Sequence, residues 1–140
     1  MATYSVYNNA VRQMLDGTVT PGTFQVRLFS AFTFDPTQTL VTDIVATELT
    51  TANGYTAGGA AVQNVLYNVS ETNGCIVTGD NVIWTATAGD LSAAFALVLS
   101  GSVPISFIDF EGIKVAPSGT AFVIAWPVQG IIKYGPVVSV

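Results

Sequence analysis

The sequence predicts an all-β protein: an antiparallel β-sandwich of about eight short strands, jelly roll being the arrangement that fits the count best, with one short N-terminal helix. Three observations point there. Apolar residues alternate with polar ones in short runs, as half-buried strands require. Turn-forming residues interrupt these runs about every ten positions, the spacing of sandwiches and barrels. No run of strands is separated by the helical crossovers that parallel sheets need. An immunoglobulin-like strand order satisfies the same pattern and stays open. At 140 residues and 14.6 kDa the chain is one domain, with residues 1–22 an N-terminal arm and short helix and 131–140 a C-terminal docking segment.

Taken in order, the helix falls at 8–17 (NNAVRQMLDG). Asn8 or Asn9 can cap it, Ala10, Val11, Met14 and Leu15 share a face, and Gly17 suits the position just past its end. Residues 23–30 (TFQVRLFS) alternate Phe24, Val26 and Leu28 against Thr23, Gln25 and Arg27, a strand pattern. Residues 42–50 (TDIVATELT) read as a second short helical turn. Two strands, 65–70 and 75–79, flank ETNG, whose Asn73-Gly74 pair tolerates the positive φ angles of a tight hairpin. Strands at 81–87 and 92–100 follow the turns TGDN and TAGD. The last strands are 105–110, with a loop from Glu111, then 121–126 after the turn PSGT, and 130–134.

Composition narrows the function. Charged residues make up 9% and apolar residues 50%, where about a quarter charged is usual. A chain this apolar folds. The most apolar run, from Leu91, is broken by Ser100, Gly101, Ser102 and Pro104, so it falls short of the ~20 residues of a spanning helix. The N-terminus shows no basic region followed by an apolar segment, which predicts no signal peptide and no membrane association. Net charge is −5, with Arg12, Arg27, Lys114 and Lys133 the only cations; no phosphate-neutralising stripe can form, and nucleic acid is not an expected partner. The single cysteine, Cys75, fits folding in a reducing cytoplasm.

The densest motif is NGYTAGG, residues 53–59. Gly54, Gly58 and Gly59 lack the spacing of a phosphate-binding loop, no lysine follows, and the next residues read as strand. The motif is therefore expected to be a structural corner, where positive φ or close backbone approach excludes a Cβ. Catalytic constellations are absent from the pattern. There is no histidine, Cys75 lacks a basic neighbour, and Asp109 and Glu111, which could pair on one strand face, adjoin a predicted loop. Asp35, Asp43, Glu48, Asp80 and Asp90 are scattered through predicted loops without the ligand density of a calcium loop. The expectation is a non-enzyme without metal or cofactor. Trp84 and Trp126 sit among alternating apolar residues and read as core rather than as sugar platforms.

The shortage of charge implies either a neutral polar surface or burial against other subunits, where interface cores are poor in charge. The C-terminal run favours burial: Ile131, Ile132, Tyr134, Val137, Val138 and Val140 surround one charge, Lys133. With Tyr4, Val6 and Tyr7 of the arm, these are the expected interface residues.

Beyond this, the sequence resembles small structural proteins of tailed-bacteriophage heads. The likeness lies in Glu48 followed by Gly54-Tyr55-Thr56-Ala57-Gly58-Gly59, Val82-Ile83-Trp84 ahead of the strand Ala93–Leu99, Ile105-Ser106-Phe107-Ile108-Asp109-Phe110, the Ser118-Gly119 turn, and Phe122-Val123-Ile124-Ala125-Trp126-Pro127. It runs from about Val41 to Ile132 and thins out before Val41. The resemblance implies a jelly-roll cement (decoration) protein on the outer capsid surface, clamping neighbouring major capsid protein subunits and associating with itself as a dimer or trimer. The alternative is a receptor- or glycan-binding module of a tail fibre or baseplate, since fold does not decide between the two tasks. On the cement reading, removing residues 131–140 is expected to leave a folded domain that no longer binds capsids.

Overall fold

The computed structural model describes residues 2–70, 74–127 and 130–134. The chain is all-β with one helix, and every strand pairing is antiparallel. Eleven strands occur among the described residues: β1 (Thr3–Val6), β2 (Phe24–Thr33), β3 (Val45–Glu48), β4 (Ala60–Ala61), β5 (Leu66–Ser70), β6 (Gly74–Thr78), β7 (Val82–Thr85), β8 (Leu91–Ser100), β9 (Val103–Ala116), β10 (Ala121–Ile124) and β11 (Ile132–Tyr134). The helix α1 spans Asn8–Leu15. The strands form three sheets: a large one in the order β1-β9-β8-β2-β3 with β4 also on β2, a three-stranded one in the order β11-β6-β5, and the pair β10-β7.

The large sheet has two apolar faces where its central strands β2, β8 and β9 carry consecutive buried residues. Register places Val26 opposite Val98, Ile108 opposite Ala96 and Tyr4 opposite Ile108 on one face. Phe110 of that face meets Phe122 of β10 at 5.9 Å, and Phe122 in turn meets Trp84 of β7 at 6.5 Å. The small sheets therefore pack on this side, giving a sandwich core. The other face carries Phe29 opposite Phe95 and Leu97 opposite Phe107. Here Phe32 and Phe34 stack on Phe107 at 4.6 and 4.9 Å, and the buried Tyr7 closes edge-on against Phe34 at 4.9 Å. Helix α1 lies beside β9 and contributes Ala10 and Met14 to the core.

Several expectations change. The N-cap of α1 is Tyr7 without a side-chain bond, while Asn9 accepts hydrogen bonds from Arg12 instead. Leu15 points out, 75% exposed; a core-facing stripe this short admits one turn's worth of contacts, which Ala10 and Met14 fill. Gly17, at φ +81°, follows the C-cap Asp16 as its sequence position suggested. Residues 41–43 form one 3-10 turn and 45–48 are β3, so the segment expected to be helical is mostly strand: it gains a ladder with β2 that a short helix could not match. The arm contains β1, paired with β9. Gly74 is the first paired residue of β6, opposite Ser70, rather than a central turn residue; Asn73 lies outside the described residues. The strand expected to stop at Phe110 continues to Ala116, but with a break in register where Glu111 and Gly112 take φ of +56° and +130°. That bulge is the irregularity the sequence suggested as a loop.

Candidate functional site

The glycine motif is a corner. β3 and β4 pair with different stretches of the same edge of β2, and residues 49–59 leave the sheet and return between them. Asn53 and Gly54, both at positive φ (55° and 92°), form a two-residue turn closed by mutual hydrogen bonds between Ala52 and Tyr55. A Cβ on Gly54 would collide with the Thr85 carbonyl, and one on Gly59 with that of Val26; Gly58 has open space but φ +101°. Tyr55 drops into the gap left in the ladder. Its hydroxyl accepts the Leu28 N–H at 3.1 Å and donates to Glu48 Oε1 at 2.7 Å, and the same Oε1 accepts the Gly58 N–H at 2.6 Å. Burial is the main cause that pushes the Tyr55 phenol well above its ordinary range. It is a neutral plug, and its partner Glu48 lines a neighbouring cavity of about 190 Å³ together with Arg27.

The carboxylates are likewise engaged in local structure. Asp109 Oδ1 accepts the Glu111 N–H at 2.8 Å and Glu111 Oε1 accepts the Thr3 hydroxyl at 2.8 Å, so the two acids tie down the β9 bulge and the β1 end. The Thr3 bond is the leading cause holding the Glu111 carboxyl below its usual range. Asp35 caps its own turn through Thr37, Asp80 accepts from Asn64, and Asp90 accepts the Ser118 N–H. Among the described residues no three acidic or Cys side chains share a possible metal site. Trp84 and Tyr55 are buried in the core, and Trp126 donates its indole N–H to the Asp80 carbonyl at 2.9 Å.

The expected interface residues divide three ways. Tyr7, Ile131 and Ile132 are buried within this one chain and cannot face a partner: Tyr7 closes the aromatic row, Ile132 pairs with Val77 in the β11–β6 ladder, and Ile131, just before β11, donates its N–H to the Val77 carbonyl. Tyr4 and Val6 are half-buried on β1. The backbone of Tyr134 belongs to β11, while Val137, Val138 and Val140 lie outside the described residues.

Tyr4 and Val6 instead border a concavity on the surface. A lobe of about 370 Å³ is lined by Phe110, Lys114, Val115 and β10, and one of about 650 Å³ by Thr3, Val6, Pro127, Ile131 and Lys133. Ala2, Tyr4 and Ala125 line both, so the lobes form one groove along β1. The Tyr4 hydroxyl donates across it to the Ala125 carbonyl at 3.3 Å, and burial raises its phenol pKa. Among the described residues its polar side chains are Thr3, Tyr4, Lys114 and Lys133. Sequence reasoning named Tyr4 and Val6 but missed Lys114 and Ala125, because nothing local announces that β10 faces β1.

No family model matches the chain, and no curated protein or solved structure matches it. No described helix is long and apolar enough to cross a membrane.

Proposed function

We propose that this chain is a capsid cement protein of a tailed bacteriophage, bound to the outer surface of the head and clamping neighbouring major capsid protein subunits. The observation that carries the reading is where its apolar surface lies. Ile83 and Val123 are cross-strand partners on β7 and β10 with 58% and 45% exposure, and Val115 beside the same groove is 53% exposed. β5 adds Leu66, Tyr67 and Val69, the last 87% exposed. Isolated exposed apolar residues are ordinary, but adjacent ones on rigid strands mark contact surface. A protein that clamps others needs such complementary surface and no pocket chemistry. An adhesin would instead need tryptophan or tyrosine in a loop-built pocket; Trp84 and Tyr55 are committed to the core, while Tyr4 and Tyr67 belong to strands β1 and β5.

The test is quantitative: purified particles are assayed for this chain by mass spectrometry, with cryo-electron microscopy of the heads. Hundreds of copies per head, on the outer surface, are expected. A handful of copies confined to the tail would transfer the protein to the receptor-binding role, and absence from particles would end both readings.

A further inference from the structure

We propose that the edge of β1 that is unpaired among the described residues, with the groove beside it, is a strand-addition site for an extended, acidic segment of a partner protein. The backbone geometry comes first. Tyr7 donates its N–H to the Ile105 carbonyl at 3.0 Å, and β1 continues this register with Val6 opposite Ser106 and Tyr4 opposite Ile108. In an antiparallel ladder residues alternate between bonded and non-bonded pairs. Tyr7, Ser5 and Thr3 therefore bond to β9, and Tyr4 and Val6 turn their N–H and C=O groups to the opposite side, toward the groove. Among the described residues β1 is the terminal strand of its sheet. An unpaired edge is a template for another strand, and main-chain bonds to it supply affinity while alternate side chains supply specificity.

The groove defines the occupant. Its wall offers the exposed Ala125 and Pro127 to the side chains of an added strand. Lys114 stands in one lobe and Lys133 in the other; Glu111, bonded to the lining Thr3, lies in the field of Lys114, so Lys133 carries most of the groove's positive charge. Two of the four cations of a chain with net charge −5 thus flank a single apolar groove. That polarity favours a segment carrying carboxylates and disfavours a basic one. The four residues of β1 span about 13 Å at ~3.3 Å per residue, so a short stretch of extended chain suffices.

The probe is a fluorescein-labelled peptide of alternating valine and threonine with an aspartate at each end, titrated with the full chain and followed by anisotropy. Saturable binding is expected, with a dissociation constant on the order of 0.1 mM, weakening as salt rises. Replacing the terminal aspartates by lysines weakens it about tenfold, and the double variant Lys114→Glu, Lys133→Glu reverses the preference. Val6→Pro removes an N–H that faces the groove, not the β9 ladder, and abolishes binding in a protein whose circular dichroism is unchanged. Backbone N-methylation of the peptide does the same without touching the protein, which covers the case of a misfolded variant. No saturable binding, equal binding of the two peptides, or indifference to N-methylation overturns the proposal. So does self-association that Val6→Pro abolishes, since the occupant would then be a second copy. The inference stands apart from the capsid reading: peptide binding by a protein absent from phage particles would remove the proposed function and leave the site.

Discussion

At the scale of single residues, Tyr55 is the most informative. Its hydroxyl replaces a missing strand partner for Leu28 and holds Glu48 in place, so Tyr55→Phe leaves a buried N–H and a half-buried carboxylate short of a partner. A loss of about 1–3 kcal/mol is expected in urea unfolding. The phenols of Tyr7 and Tyr55 have folded pKa values raised above their ordinary 10.0; the stability this contributes is complete below that value and falls as pH climbs past it. Absorbance at 295 nm should therefore show these two rings ionising only as the protein unfolds. Gly59→Ala sets a methyl group against the Val26 carbonyl and is expected to cost more than Gly58→Ala, where positive φ alone, ~1–2 kcal/mol, is the penalty. Ser106, buried with an unpartnered hydroxyl, gives the opposite sign: Ser106→Ala is expected to be neutral or stabilising by thermal melting. The glycines were legible as a corner because their spacing fits no phosphate loop and their backbone freedom is local chemistry. Glu48 was not legible as the corner's anchor, since nothing in its neighbourhood says that its carboxylate reaches Gly58, ten positions on.

Among elements, β11 reverses an expectation. Ile131 and Ile132 are core residues and the strand is hydrogen-bonded to β6, so deleting 131–140 is now expected to unfold the protein. Ile132→Ala alone should cost about 2–5 kcal/mol, read by denaturant midpoint. Removing only 135–140, which spares β11, is the deletion that asks whether the tail docks. In α1, Met14→Ala is expected to cost at least ~2 kcal/mol, whereas Leu15→Lys changes little, because only Met14 is covered. Strands with clear alternation, such as 23–30 and 81–87, were readable because period-two burial is written in each residue. β1 was not, although Thr3-Tyr4-Ser5-Val6 does alternate: four residues carry too little signal, and the partner that makes them a strand lies about a hundred positions away. TDIVATELT satisfies both periods at once, and the vacant edge of β2 decided between them.

Over the whole molecule, the shortage of charge was legible in the composition, but the place of the exposed apolar residues was not, because it depends on how β7, β10 and β9 come together. On the cement reading, the double change Ile83→Glu, Val123→Lys, which places opposite charges on an exposed cross-strand pair, should hold thermal stability within about 0.5 kcal/mol while attachment to heads is lost in a sedimentation assay. The strand order carries one more implication. β2 and β8 can meet once residue 100 has been made, yet β1 finds its place only when β9 has been synthesised. A nascent chain thus carries β1 unpaired through most of its manufacture and exposes the β8 flank meanwhile. Slow translation or premature termination before residue 103 should favour aggregates, and co-expressed chaperones should rescue yield more than any change to the finished surface.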